Sequence, residues 1–533
     1  MKDFLWWRDG VIYQIYPRSF SDSNHDGIGD LEGIRQRLDY LDDLGVDAIW
    51  LSPIYPSPDV DFGYDVSDYL SIDPKFGSMR DFGLLLKDAH RHGIHIILDL
   101  VLNHTSDQHP WFKESRESLD NPYRDYYIWH EPKPGRNPPN NWQSIFGGSG
   151  WELDHHTSQY YYHMFYKEQP DLNWRNHKVH RALLDVFRFW LDQGVDGFRL
   201  DVFNVFFKDS KLRNNPTKLF GLRPYERQEH IFDCDQPEMM HLLQEIRQIL
   251  DAYPESYAVG ETFLANPEKA GSYCGKNILH ATFNFEFLRN SWNPKRFLNN
   301  VIQWEHVLRG KCWPNYVLNN HDTVRTSTRF GEGEDDQRLK VAAAMLLTMR
   351  GTPFLYYGEE IGMRNVRIKH SQIKDPIGKR YWPFYKGRDG CRAPMQWEAI
   401  PNAGFSTVEP WLPVHSDYIQ RNVTNQYRDP HSILNFYKKL LALRKRHPVL
   451  VRGIFEPIQQ KSKHVLVYER KYKNQRALIA LNFSDSKIKI ILVQSRKNKW
   501  RLLLSNQRKK LEILSADSFN LEGNEALILL NAF

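Results

Sequence analysis

Eight apolar runs of strand length alternate with segments of helical period between residues 11 and 360, and few folds accommodate that alternation. The runs are VIYQIYP (11–17), AIWLSPI (48–54), HIILDLV (95–101), GFRLDV (197–202), YAVGET (257–262), ATFNFEF (281–287), NYVLNNHD (315–322) and FLYYGEE (354–360). Helical period is carried by 31–44, 79–92, 178–193, 236–252 and 334–350. The last has acids in its first turn, an alanine-rich middle and a closing glycine, the marks of a bounded helix. Eight strands, each followed by a crossover, predict an α/β protein whose parallel sheet closes as a (β/α)8 barrel.

Two stretches depart from this rhythm. Residues 105–174 are rich in Pro, Asn, Trp and Tyr and weakly periodic. A segment of that length inside a compact domain predicts a small inserted domain after strand three. Past about residue 450 the period becomes two. HVLVYER, ALIALNF and ALILLNAF alternate as antiparallel strands do, which predicts a separate C-terminal antiparallel β-sandwich. The expected organisation is a barrel over 1–104 and 175–450, an insert over 105–174 and a β domain over 451–533. A chain of 533 residues suits several such units better than one core.

Composition excludes several functions. Apolar residues make up 41% and charged residues 26%, ordinary values for a soluble protein. No run of eighteen apolar residues crosses a membrane. The first ten residues, MKDFLWWRDG, carry charges and no signal-like apolar stretch, so the expected location is cytoplasmic. The net charge of +6 is diffuse, with no basic stripe on a known nucleic-acid module. Cys234, Cys274, Cys312 and Cys391 are too few and too scattered to predict a disulfide framework, and no CxxC pair predicts thiolate zinc. Aromatic residues reach 14%, and pyranose rings stack on aromatic planes.

Polar residues gather where such a barrel keeps its active site. Asp99, Asn103, His104, Arg199, Asp201, Glu261, His321 and Asp322 fall at or past the C-terminal ends of their strands. Two carboxyls on different strands can flank a glycosidic bond, one ionised to attack the anomeric carbon and one protonated to release the leaving oxygen. Asp201 and Glu261 are that pair. Arg199 lies two residues before Asp201 and so faces the same way, and its charge is expected to hold Asp201 ionised. Glu261 sits among apolar and small residues in YAVGETF, where desolvation is expected to raise its pKa.

In DSNHDGIGD (22–30), acidic and amide residues alternate with glycines that permit tight curvature, and several hard oxygens at this spacing suit Ca²⁺ or Mg²⁺. A hydrogen-bonded turn without metal is the alternative.

Taken together, these motifs resemble the α-amylase superfamily, glycoside hydrolase family 13, and within it the α-glucosidase and oligo-1,6-glucosidase group. The resemblance runs from WWRDGVIYQIYPRSF to about residue 450. DLVLNHTS is similar to the family's first region and implies sugar-binding roles for Asp99 and His104. GFRLDVFN implies Arg199 and the nucleophile Asp201, VGET the acid/base Glu261, and NNHD a grip on the distorted ring by His321 and Asp322, the third catalytic carboxylate. QPDLNW (169–174) resembles an additional region. GRDGCRAPMQW (387–397) marks the glucosidase group and implies that Arg392 reaches the substrate. Asp61, Tyr64 and Phe146 are implied in the terminal-glucose subsite. The resemblance also implies that the 22–30 loop holds a structural calcium through Asp22, Asn24, Asp26, Ile28 and Asp30, with no cofactor for the chemistry.

The expected activity is exo-acting, retaining α-glucosidase action on small oligosaccharide or disaccharide substrates, with no nucleic-acid or membrane partner. Val202, beside the nucleophile, accompanies α-1,6 cleavage in the resembling group and inclines the reading toward isomaltose-type substrates. Sugar isomerases of the superfamily carry an Asp- and Arg-rich loop after the fourth region. Here TVRTSTRFGEG (323–333) has no aspartate between its arginines, which favours hydrolysis. Trehalose 6-phosphate hydrolysis would need a cationic pocket, for which 364–388 holds the candidate cations. Non-catalytic sugar-binding relatives carry a membrane helix and lose catalytic residues, unlike this chain.

Overall fold

The computed structural model describes residues 4–263, 266–331, 336–492, 499–508, 513–515 and 518–532. Strands β1 (Ile12–Ile15), β2 (Ala48–Leu51) and β3 (His95–Leu100) open a parallel sheet, with Ile12 beside Ala48 and Ala48 beside His95. The chain then leaves the sheet. Strands β4 (Trp129–His130), β5 (Trp151–Leu153) and β6 (Tyr160–Tyr162) form a small antiparallel sheet of their own within the insert. The parallel sheet resumes with β7 (Gly197–Leu200), β8 (Tyr257–Gly260), β9 (Ala281–Thr282), β10 (Asn315–Val317) and β11 (Thr352–Tyr356).

Strand order is β10-β11-β1-β2-β3-β7-β8-β9, the order of a barrel with one seam. Across that seam the Asn315 side chain donates to the Thr282 carbonyl at 2.9 Å. Nearly every barrel-strand residue is buried, because helices cover one face and packed side chains fill the other.

The predicted strands overran their C-terminal ends. The largest overruns are 281–287 and 315–322, and the last residues of 281–287 begin a helix, Phe285–Arg289, capped by the Asn284 side chain. The segment expected as one helix over 31–44 breaks into Leu31–Arg35 and Leu38–Leu44. The helix expected over 79–92 is present as Met79–Arg91, started by a capping box of Ser78 and Asp81. The helix expected over 334–350 is present as Gln337–Thr348, and positions 334 and 335 of that expectation lie outside the described residues. Two long helices were not expected, Pro294–Leu308 and Ile433–Arg446.

Beyond the barrel come β12 (Ile454–Pro457), β13 (Val465–Tyr472), β14 (Gln475–Asn482), β15 (Ile488–Ile491), β16 (Lys499–Ser505), β17 (Ile513–Ser515), β18 (Ser518–Leu521) and β19 (Ala526–Ala532). Six of them form one antiparallel sheet, while β15 and β18 pair separately. Val467, Leu478, Ala480, Ile490, Trp500 and Phe519 share the core between the two sheets.

The four cysteines form no framework, but one pair that their scatter did not suggest is bonded. Cys274 and Cys312, 38 residues apart in sequence, form a disulfide with their Cα atoms 5.9 Å apart, while Cys234 and Cys391 are free and buried. Scatter in sequence hid a pair that the fold brings together from loops on either side of the Pro294–Leu308 helix. No helix among the described residues is long and apolar enough to cross a membrane.

Candidate active site

Strand registry brings the chemistry to one end of the barrel. Asp99 lies beside Arg199 on neighbouring strands β3 and β7. Asp201 and Glu261 follow the last paired residues of β7 and β8, Leu200 and Gly260. Arg199 is therefore surrounded by three carboxylates. It meets Asp99 at 2.5 Å and Asp201 at 2.8 Å, and it also touches Glu261.

This arrangement corrects the expectation that Arg199 sets the Asp201 carboxyl. Burial pushes the Asp201 carboxyl up to about 6, and the nearby Asp99 charge adds to it, outweighing Arg199. A shared guanidinium cannot offset burial and two anionic neighbours together. Glu261, expected among apolar and small residues, also contacts the same guanidinium.

Asp201, Glu261 and Asp322 line a cavity of about 220 Å³ together with Asp61, Tyr64, His104, Phe146 and Val202. Four other predicted residues stand behind this wall. Asp99 and Arg199 hold the carboxylate cluster from below. His321 and Arg392 are fully buried, and Arg392 donates to the His321 carbonyl at 2.8 Å and to Asp322 at 2.7 Å. Arg392 thus braces Asp322 and does not itself line the cavity. Arg388, four residues earlier in the same motif, is the arginine of that motif on the cavity wall. It lines the cavity, donates to Asp61 at 2.6 Å and Asp375 at 2.9 Å, and lies over the Phe146 ring.

A hydrogen-bond relay fixes the back wall. Gln14 Nε2 lies 2.8 Å from His321 Nδ1, His321 Nε2 lies 2.7 Å from the Tyr64 hydroxyl, and that hydroxyl donates to Asp99 at 3.0 Å. Burial drives the His321 pKa down to about 3, so the ring is neutral near pH 7. Neutral, it accepts from Gln14 and donates to Tyr64, which leaves the hydroxyl proton for Asp99. Gln14 was not foreseen, although a lone amide inside the apolar run IYQI was a visible signal. Burial raises the Asp322 pKa, but His321, Arg388 and Arg392 outweigh it and hold the carboxyl well below its usual range. Burial raises Asp61 and Asp99 above theirs. His104 is buried, with Nε2 2.9 Å from the Tyr64 carbonyl.

The insert closes one side of the cavity with Ile145, Phe146 and Phe165, and Ile377 and Tyr385 face it from the segment before Arg388. Val202 holds a left-handed backbone, φ 34° and ψ 39°, unusual for a β-branched residue. Strained backbone of this kind clusters at working sites.

In the 22–30 loop each carboxylate accepts hydrogen bonds. Asp22 accepts from the amides of Asn24, His25 and Gly27, and Asp26 from Ile28 N and Asn24 Nδ2. Asp30 accepts from Ser23 and caps the following helix through Gly33 N. Among the described residues, no group of three or more His, Cys, Asp or Glu is arranged to hold a metal ion. Asp22, Asn24 and Asp26 still present hard oxygens on one tight turn, the donor type calcium takes.

Family models match this description. The α-amylase catalytic domain matches residues 14–453 and the maltogenic amylase C-terminal domain matches 455–528. The chain belongs to the α-amylase family and is a glycoside hydrolase. It is 44% identical to a probable alpha-glucosidase of Rhizobium meliloti (strain 1021), over 90% of each chain. It is 42% identical to an oligo-1,6-glucosidase of Parageobacillus thermoglucosidasius, over 90% of this chain and 91% of that one. Among solved structures, the alpha-glucosyl transfer enzyme XgtA superposes with a TM-score of 0.94 at 39% identity, covering 99% of this chain and 100% of that one.

Proposed function

We propose that this glycoside hydrolase is an exo-acting, retaining α-glucosidase that releases glucose from the non-reducing end of short α-glucosides, with isomaltose-type linkages preferred. The observation that carries the reading is the 220 Å³ cavity in which Asp201, Glu261 and Asp322 converge. Pockets that bury a drug-sized ligand whole span roughly 300–1,000 Å³, so this one suits a single glucosyl ring. The insert's aromatic residues wall it on one side, which suits chain ends and disfavours polymer interiors.

In this reading Asp201 attacks the anomeric carbon while Glu261 protonates the leaving oxygen. A glucosyl–Asp201 ester forms, and Glu261 then takes a proton from the water that releases glucose. With Glu261 protonated, Asp99 and Asp201 around the single Arg199 guanidinium still leave excess negative charge, which favours the oxocarbenium-like transition state over the neutral sugar. Asp322, held anionic by Arg388 and Arg392, hydrogen-bonds ring hydroxyls more strongly as the ring flattens.

The rival activities find less support. Arg325 and Arg329, in the stretch that isomerases use, donate to the carbonyls of Tyr357 and of Leu318 and Asn290, and neither lines the cavity. For trehalose 6-phosphate, the one cation from 364–388 on the cavity wall is Arg388, already engaged by three carboxylates.

We further propose that the 22–30 loop takes a calcium ion that stabilises the fold and has no part in the chemistry.

A disaccharide panel with early-time NMR tests the main reading. Isomaltose should turn over faster than maltose, α-glucose should appear before mutarotation, and Asp201→Asn should abolish turnover without changing the circular dichroism. β-Glucose as the first anomer, or loss of starch viscosity without glucose release, would overturn it.

A further inference from the structure

Across Asn103 from His104 lies an ion pair sealed inside the protein. Lys208 comes shortly after the single turn Phe203–Val205 that follows β7. Its ammonium pairs with Asp171, in the QPDLNW stretch that ends the insert, and donates to Asn103 Oδ1 at 2.7 Å. Lys208, Asp171 and Asn103 are all buried. Replacing a buried ion pair with apolar side chains of similar volume is often neutral or stabilising, so stability alone does not account for this one.

The pair fixes which way the Asn103 amide points. Its oxygen must face the ammonium, which has no lone pair, and its nitrogen must face the carboxylate, which has no hydrogen. Asn103 Nδ2 accordingly donates to Asp171 Oδ2 at 2.9 Å, and it lies 3.2 Å from His104 Nδ1. Burial holds the His104 pKa below its usual value, so the ring is neutral near pH 7 and carries a single N–H. Nδ1 faces a donor and is therefore the bare nitrogen. The hydrogen sits on Nε2, 2.9 Å from the Tyr64 carbonyl that accepts it. Gln169 is oriented as well, because its oxygen accepts from Tyr166 N at 3.0 Å and its nitrogen donates to the same Tyr64 carbonyl at 3.1 Å. Gln169 Nε2 also lies 3.1 Å from His104 Nε2, the one contact that would suit the opposite tautomer. It is outweighed by Asn103 on one side of the ring and the carbonyl on the other.

We propose that Lys208 is a positioning residue for the reaction: with Asp171 it orients Asn103, and Asn103 locks His104 in the tautomer that carries its hydrogen on Nε2. His104 and Tyr64 both line the cavity. The Nε2 hydrogen ties down the Tyr64 backbone, and the Tyr64 hydroxyl carries the relay between His321 and Asp99. It is also the donor that His104 brings to the cavity wall. The opposite tautomer would set a bare nitrogen against the Tyr64 carbonyl, loosening that residue and removing the donor. The proposal rests on the reading of this cavity as the active site of an α-glucosidase.

The double substitution Lys208→Met with Asp171→Asn tests the lock without leaving a buried charge unpaired. The new amide can still accept from Met164 N, as Asp171 Oδ1 does at 2.8 Å, while turning its N–H toward Asn103. Asn103 then flips to accept it, its oxygen faces Nδ1, and the His104 hydrogen moves there. The double variant should melt close to the wild type, yet lose at least about tenfold in kcat/KM for isomaltose. In a His104→Gln background the same double substitution should cost little more, because the lock acts through His104. Proton–nitrogen NMR of protein with isotope-labelled histidine, with His104 assigned by its loss in His104→Gln, should show the hydrogen on Nε2 in the wild type and on Nδ1 in the double variant. A wild-type hydrogen on Nδ1 overturns the proposal. So does a double variant that keeps the wild-type kcat/KM, or one whose loss adds in full to that of His104→Gln. If Lys208→Met alone loses stability and activity together and Asp171→Asn restores both, the pair is structural only. If the wild type cleaves no α-glucoside, the α-glucosidase reading fails, and the position of the His104 hydrogen in the two proteins still upholds or overturns the lock.

Discussion

Asp201 is pulled in two directions, and the balance sets how the enzyme should respond to pH. Arg199 and His104 favour its ionised form, while burial, Asp99 and Asp322 oppose it, for a net rise to about 6. A nucleophile must be ionised, so activity belongs above that value and is lost as pH falls through it. The kcat/KM profile for isomaltose should show an acid limb near pH 6, falling tenfold per unit below it. Asp99→Asn removes one of the raising charges and should move the limb to lower pH, besides slowing turnover. A limb near pH 4 that ignores Asp99→Asn would mean that Arg199 dominates after all. Arg388 and Arg392 show why such roles were only partly legible. Both belong to GRDGCRAPMQW, and the short turn Asp389–Cys391 between them decides which one reaches the cavity. Spacing along the motif carries no sign of that direction.

Among the elements, the barrel strands were legible because strands buried on both faces are continuous apolar runs. Their ends were not, because the residues past β7, β8 and β10 stay apolar or functional after the pairing stops. The helix Pro294–Leu308 does bury Phe297, Val301, Trp304 and Leu308 at helical spacing, but its asparagine pair and its Asn293-Pro start read as loop. The disulfide was illegible for another reason: the closeness of Cys274 and Cys312 exists only once that helix has packed. Denatured, unreduced protein should accordingly titrate two thiols, Cys234 and Cys391. Cys274→Ser should cost about 2–4 kcal/mol, since the bond closes a 38-residue loop in the unfolded chain. Four titratable thiols would refute the pairing. The 22–30 loop makes a separate prediction. If calcium takes the remaining lone pairs of Asp22, Asn24 and Asp26, adding it to chelator-treated protein should raise the melting temperature and leave kcat unchanged. No shift, together with no heat of calcium binding by calorimetry, would return the loop to a metal-free turn.

At the scale of the whole molecule, the C-terminal sandwich is fastened to the barrel by a buried guanidinium. Arg470 on β13 is fully buried. It donates to the carbonyls of Leu450 at 2.9 Å, Val451 at 2.9 Å and Gly453 at 2.8 Å, and also to Thr348 at the end of the helix before β11. Nearby, the Thr348 and Tyr468 hydroxyls share a hydrogen bond, and Arg444 donates to the carbonyls of Leu347 and Leu450. These carbonyls close helix ends that have no further turn to accept from, so the arginines satisfy groups the fold would otherwise bury unpaired. Removing one partner then leaves several acceptors dry, and each unsatisfied buried group costs about 1–3 kcal/mol. Arg470→Met keeps the volume and the apolar stem but loses every donor. It should destabilise the protein by at least about 3 kcal/mol, read as a melting temperature lower by several degrees. Far from the cavity, it should leave kcat/KM for isomaltose unchanged well below that temperature. Arg470→Lys should recover only part of the loss, because one ammonium cannot reach carbonyls spread around a planar fork. An unchanged melting temperature for Arg470→Met would show that packing between the sandwich and the barrel suffices without it. A fall in kcat/KM at constant stability would instead tie the sandwich to the active site.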